Sequence, residues 1–217
     1  IAVVSVAVVA VVAAAPESQN KPATFAYPAA PRSNQTDDYH GTKVADPYRP
    51  LENLSAPATK QWVQAQNRLS QPYLEGIPAR ERIKARMAQL WNHERYDVPV
   101  KAGSRYFYTR NDGLQNQSVL YVTEQLNGEP RVLLDPNKLS KDATVALGEF
   151  VPSPDGRLIA YSLSDGGTDW RSWHFRDVAT GKDLPDVLRN VKFVPVAWTA
   201  DSKSVYYARF ALNAAGK

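Results

Sequence analysis

The amino-acid sequence predicts a mixed fold: two helices, then antiparallel β-sheet laid down in repeated units like propeller blades. Two observations carry that reading. Apolar residues recur at helical spacing as far as Trp91, and after Pro99 they fall into short β-rich runs divided by turns. The runs also repeat. SPDGRLIAYS (153–162) aligns with TADSKSVYYA (199–208) at a spacing of 46, and more loosely with AGSRYFYT (102–109) at a spacing of 53. Periods of about 40–50 residues with about four strands each are those of propeller blades.

Residues 1–15, IAVVSVAVVAVVAAA, carry no charge and end in small residues before Pro16. The run is short for a membrane span, which needs about 20 residues, so no stable membrane span is expected. It reads as the apolar part of a secretory signal peptide with Ala13-Ala14-Ala15 as the cleavage site. The basic start of such a signal is absent, which reads as a truncated signal; an uncleaved anchor is the alternative. Residues 16–27 read as a flexible leader. The chain has no cysteine, which excludes disulfides, thiolate metal sites and a cysteine nucleophile. Export without disulfides points to a periplasmic or secreted protein. Net charge is +4 with the basic residues spread along the chain, so no nucleic-acid partner is expected.

The first helix is expected to start at Ser55 as N-cap with Pro57 in its first turn, and to stop at Pro72. Trp62, Ala65, Gln66 and Leu69 form its stripe. A second helix is expected from Pro78, with Ile83, Met87, Leu90 and Trp91 on one face and Arg80, Arg82, Lys84 and Arg86 on the other. The expected strands are 105–110, 118–124, 131–135, 157–164, 173–178, 194–198 and 204–210. Asn111-Asp112-Gly113, Asn127-Gly128, Pro154-Asp155-Gly156 and Thr180-Gly181 supply the turns. Trp170, Trp173 and Trp198 are assigned to the core.

Candidate chemistry is sparse. None of the glycines forms the G-x-S-x-G elbow of a nucleophilic serine, and His93-Glu94-Arg95-Tyr96-Asp97 lacks the second histidine of a zinc helix. Gly166-Gly167 is not a phosphate loop. Asp37, Asp38, Asp46 and Glu52 lie among solvent-type residues and read as surface carboxylates. His40, in DYHGTKVADPYRPLE (38–52), is the one histidine whose surroundings suggest a site.

That segment and QWVQAQNRLSQPYLE (61–75) closely resemble the N-terminal part of the prolyl oligopeptidases, a family of serine peptidases. So do RYFYTRNDGLQNQSVLYV (105–122), LLDPNKLSKDATVAL (133–147), SDGGTDW (164–170) and LPDVLRNVKFVPVAWTADSKSVYY (184–207). The resemblance runs from about Tyr27 to Phe210. Two positions depart from it: Pro50 stands where the family usually has tryptophan, and Ala143 where it usually has glycine.

The resemblance implies a definite organisation. Residues 28–98 would be the N-terminal extension of an α/β-hydrolase peptidase domain, and residues 99–217 the first two to two-and-a-half blades of a seven-bladed β-propeller. The intact protein would hydrolyse short peptides on the carboxyl side of proline, with the propeller gating access. The family's Ser-Asp-His triad has no counterpart here, so this chain is expected to hold no catalytic residue and to be inactive alone. Its expected partners are short proline-containing peptides and the C-terminal hydrolase domain of the same protein, and no metal or cofactor is implied. His40 would make a structural hydrogen bond. Phe193 matches the propeller phenylalanine lining the family's apolar S3 subsite, and is the one substrate-binding residue carried over; a place in a blade core is its alternative. A non-catalytic propeller binding module and a catalytically dead homologue remain the rival readings.

Overall fold

The computed structural model describes residues 25–211. The expected signal segment 1–15, most of the expected leader and residues 212–217 lie outside them. The described residues divide into two compact units, with the boundary between Glu81 and Arg82.

In the first unit, β1 (Thr36–Tyr39) and β2 (Thr42–Ala45) pair antiparallel with Tyr39 opposite Thr42. The two-residue connection is His40-Gly41, with φ of 58° and 87°. Both central residues of such a hairpin turn need positive φ, which glycine takes freely and histidine more easily than bulky residues. Asp38 Oδ1 accepts the Gly41 N–H at 2.6 Å. His40 is exposed, and among the described residues its ring makes no hydrogen bond. The expected hydrogen bond is therefore replaced by a conformational role.

The DPYR sequence folds onto itself. Arg49 Nε donates to Asp46 at 2.6 Å, its Nη2 pairs with Asp37, and Glu52 stands 3.6 Å away. Pro50 lies in the first turn of the 3-10 helix Arg49–Glu52, where a missing N–H costs little. Its carbonyl accepts the hydroxyl of buried Thr59 at 3.3 Å. Helix α1 (Pro57–Glu75) follows. Ser55 is not its cap: Ala56 flanks the helix, and Asn53 Oδ1 takes the Ser55 N–H at 3.1 Å. Nor does Pro72 stop it. Proline removes one N–H but leaves its own carbonyl able to accept, and Gly76 N–H bonds that carbonyl at 3.0 Å, closing the last turn. The ring of Phe25 meets Tyr73 edge-on at 5.2 Å.

Helix α2 (Arg80–Trp91) starts at the boundary between the units, two residues later than Pro78 predicts. Ile83, Met87, Leu90 and Trp91 are all exposed, so the predicted apolar face exists but is uncovered among the described residues. No helix among them is long and apolar enough to cross a membrane.

The second unit is a series of antiparallel meanders. In the first sheet β5 (Arg105–Asn111), β6 (Val119–Thr123) and β7 (Arg131–Leu134) lie in order, with β3 (Arg95–Tyr96) and β4 (Val100–Ala102) sharing the free edge of β5. The second sheet has β8 (Ala146–Pro152), β9 (Leu158–Ser164), β10 (Arg171–Asp177) and β11 (Asp183–Val191) in sequence order. β12 (Ala197–Trp198) and β13 (Val205–Tyr206) open a third. These are the successive blades that the repeat predicts. The last two predicted strands are much shorter than expected, and β8 and β11 were not predicted. β8 carries Gly148 at an irregularity in its register, which breaks the alternation. β11 carries Pro185, which an outermost strand tolerates because no neighbour needs its N–H.

Blade 2 is buried on both faces, which is why LIAYSL reads as a continuous apolar run. Ile159 and Tyr161 pack with Phe107, Leu120, Leu133 and Val178 towards blade 1. Ala160 packs with Trp173, Phe175, Val191 and Val196 on the other side, with Trp198 against them. Each fully buried large side chain contributes about 1.5–3 kcal/mol.

The predicted repeat is visible atom by atom. Ser153 Oγ bonds Asp155 at 2.7 Å and receives the Leu158 N–H at 3.0 Å. Thr199 Oγ1 bonds Asp201 at 2.6 Å and receives the Ser204 N–H at 3.1 Å. Gly103, Gly156 and Ser202 occupy left-handed positions in successive turns, with φ of 55°, 68° and 62°. The turns also touch. Gly103 N–H donates to Pro154 O at 3.1 Å, and Asp155 N–H donates to Ser202 Oγ at 3.2 Å. Long side chains add further links: Arg105 to Gly156 O at 2.9 Å, Arg176 to Leu133 O at 2.5 Å and Trp198 to Val151 O at 2.9 Å.

Ala143 adopts φ 54°, a left-handed conformation that costs a Cβ-bearing residue about 1–2 kcal/mol. This is the position where the resemblance expects glycine. Ala143→Gly is expected to raise the stability of the protein by about 1 kcal/mol, read as a higher midpoint of thermal unfolding.

Candidate functional site

The two ends of blade 2 differ in kind. At one end the β8–β9 and β10–β11 connections are tight turns. The other end carries the 165–170 loop between β9 and β10, the loop leading into β8 and the segment leaving β11. Thr144 Oγ1, in the loop before β8, reaches Asp165 Oδ1 at 3.3 Å. Gly166 and Gly167 take φ of 59° and 75° in the 165–170 loop.

Phe193 stands in the segment leaving β11. Val191 and Val196 are both buried and pin its two ends to the core. Asn190 turns left-handed at φ 61°, and its carbonyl accepts the Phe210 N–H at 2.9 Å. Between these anchors the chain loops outward. Phe193 itself has φ 59°, and its ring is 66% exposed. It is not a blade-core residue; the fold presents it to solvent. A ring held in a strained backbone and left uncovered is a surface on which an uncharged side chain can bury area.

Trp170 is 45% exposed, so its assignment to the core does not hold. It meets Phe210 edge-on at 5.7 Å and carries the Lys192 ammonium 4.0 Å from its ring centroid. Trp173 is fully buried as expected, and Trp198 packs against the same core. Sequence reasoning missed Lys192 and misplaced Trp170. The available signal was Gly166-Gly167 just ahead of the tryptophan, which marks an open loop and not a strand.

A second polar group lies along β9–β11. Tyr161 donates to Asp183 at 2.9 Å, and Arg176 grips the same carboxylate through Nε at 2.7 Å and Nη2 at 2.9 Å. Burial pushes the Tyr161 phenol up to about 12. Burial opposes ionisation of Asp183, but the bonds from Arg176 and Tyr161 outweigh it and hold the carboxyl below its usual range. His174 stacks on Tyr161 at 5.4 Å, and burial lowers its pKa. Ser172 Oγ stands 3.0 Å from His174 Nε2, the spacing of a nucleophile and its base. Among the described residues no carboxylate joins them: Asp183 is bound by Arg176 and Tyr161, and none bonds the imidazole. With Arg176 also bonded to Leu133 O, the cluster ties blade 2 to blade 1.

The remaining candidates are structural. His93 Nδ1 lies 3.1 Å from Leu90 O, and Glu94 pairs with Arg110 at 2.6 Å. Asp37, expected as a surface carboxylate, has its pKa lowered by hydrogen bonds from Gln35 and Arg49. Among the described residues no three His, Cys, Asp or Glu side chains gather as for a metal ion.

Residues 28–215 match the family described as "Prolyl oligopeptidase, N-terminal beta-propeller domain". The chain is 41% identical over 202 residues to a prolyl endopeptidase of Elizabethkingia meningoseptica, covering 93% of this chain and 28% of that protein. It is 34% identical over 196 residues to prolyl oligopeptidase ophP of Omphalotus olearius, covering 79% of this chain and 26% of that one. Among solved structures, a prolyl endopeptidase superposes with a TM-score of 0.76 at 35% identity, over 87% of this chain and 28% of its own. Prolyl oligopeptidase B of Galerina marginata, bound to a 25mer macrocyclization substrate, superposes with a TM-score of 0.71 at 28% identity, over 88% of this chain and 30% of its own. The chain thus spans under a third of the length of the relatives it matches.

Proposed function

Because the chain belongs to the prolyl oligopeptidase family, we propose that it forms the opening propeller blades of a serine peptidase that cleaves short peptides after proline. The observation that carries this reading is the 41% identity to a prolyl endopeptidase across 93% of the chain. The exposed Phe193 supports it. In this reading the serine, histidine and aspartate of catalysis come from the α/β-hydrolase domain of the same protein. The blades form part of a lid that admits small or unfolded peptides and excludes folded ones. Phe193 faces the substrate and buries one uncharged side chain. It makes no bond itself and acts by orienting the peptide so that the scissile carbonyl meets the serine and the oxyanion donors. Residues 28–98, with the open stripe of α2, belong to the hydrolase side, and the leading residues direct the protein to the periplasm or the medium.

The test uses the product of the complete coding sequence. It is expected to release the chromophore from a blocked Gly-Pro substrate, and residues 16–217 alone are expected to release none. Phe193→Ala in the complete protein should lower kcat/KM about tenfold or more on peptides with an apolar residue two positions before proline, from the loss of about 1.5–3 kcal/mol of burial. Turnover by residues 16–217, or a complete sequence without a serine elbow, overturns the reading.

A further inference from the structure

Phe193 stands in a stretch of chain that has to be held in place. Its own φ is 59° and that of Asn190 is 61°, left-handed values that a residue with a Cβ disfavours. Such a conformation persists only where its neighbours fix it. Val191 and Val196 are buried, but residues 193–195 between them are exposed. Two contacts from distant parts of the chain reach the start of this stretch. Phe210 N–H donates to Asn190 O at 2.9 Å, and the ammonium of half-buried Lys192 lies 4.0 Å from the centroid of the Trp170 ring. The two supports meet, since Trp170 packs edge-on against Phe210 at 5.7 Å.

Trp170 is itself firmly placed. Ser164 Oγ donates to Thr168 O at 2.7 Å, and Trp170 N–H donates to Thr168 Oγ1 at 3.2 Å, so the 165–170 loop braces itself. Arg171, the next residue, opens β10 and pairs with Glu149 at 2.7 Å. Among the described residues no carboxylate pairs with Lys192, and the indole face holds its ammonium instead. Lys192 and Phe193 are consecutive. Fixing the lysine side chain therefore restrains the backbone from which the Phe193 ring projects.

We propose that Trp170 is a positioning residue for substrate: through Lys192 it holds the 190–193 turn in its left-handed form and so sets where the Phe193 ring stands. The proposal rests on the reading of Phe193 as an apolar substrate contact. The effect passes along the backbone and requires no contact between the ammonium and either the Phe193 ring or the peptide.

The experiment compares two fluorescent peptides identical except for Phe or Gly two residues before proline. Their kcat/KM with the complete protein and their binding by fluorescence anisotropy are both measured. Trp170→Ala and Lys192→Met are each expected to lower the Phe-to-Gly ratio about fivefold, chiefly by weakening the Phe peptide. Lys192→Arg keeps a cation over the ring and should retain the ratio. In a Phe193→Ala background, Trp170→Ala should change the ratio no further, because its effect runs through that ring. A ratio that Trp170→Ala and Lys192→Met both leave unchanged overturns the proposal. So does an equal loss for both peptides, the mark of a general structural role, or a second full loss in the Phe193→Ala background. Should Trp170→Ala fail to fold, the exposed-loop substitution Lys192→Met decides alone. If Phe193→Ala does not alter the ratio, the substrate contact itself is wrong. If it does while the Trp170 and Lys192 variants do not, only the positioning role falls.

Discussion

Gly103→Ala is expected to lower the stability of the protein by about 2–5 kcal/mol, and Gly156→Ala by a similar amount. A Cβ on Gly103 would stand 2.3 Å from Asp155 O, and one on Gly156 would stand 2.4 Å from Ala102 O. Both neighbours are backbone, so no side chain can swing away. Both glycines also have positive φ, which adds its own penalty. Relief requires the first two blades to separate at this edge, with loss of the Gly103 N–H bond to Pro154 O. Thermal unfolding of the complete protein reads the loss directly. Gly166→Ala is the control, because its φ is also positive but nothing lies within 4 Å of the added carbon. A Gly103→Ala variant no less stable than Gly166→Ala would show that the turns do not press on one another.

Trp173→Ala is expected to cost about 3–5 kcal/mol, and Trp173→Phe distinctly less. Trp173 is fully buried in the core between blade 2 and the start of the third sheet. Truncation to alanine leaves a cavity lined by Ala160, Phe175, Val191 and Val196, β-sheet residues that cannot close in without breaking register. The indole Nε1 has no hydrogen-bond partner among the described residues. Burying an unpaired donor costs about 1–3 kcal/mol, so phenylalanine sheds a penalty as it gives up area. Equal losses for the two variants, in thermal or denaturant unfolding, would mean that the N–H is satisfied in the folded protein.

Much of the architecture was legible because it rests on local rules. The change of period near Pro99 separates helix from sheet. Serine or threonine two residues before aspartate, followed by a residue that tolerates positive φ, makes the same hydrogen-bonded turn wherever it occurs. The glycine expected at position 143 marks a left-handed backbone that alanine occupies under strain. The errors fell where a local rule met a neighbour. Pro72 forbids its own N–H bond but not the continuation of α1, and Pro185 breaks a central strand but not the outermost one.

The sequence by itself determined the order of helix and blade, the repeating turn and the family to which the chain belongs, since each depends on residues near one another along the chain. Tertiary structure alone decided that Phe193 faces outward, that Trp170 is half open and that Lys192 rests on it. Phenylalanine and tryptophan fill blade cores elsewhere in this chain, at Phe107, Phe175 and Trp173. Their fate is set by which valines pin the loop ends and by what packs across the gap between sheets. Those contacts join residues tens of positions apart, and no periodicity along the chain encodes them.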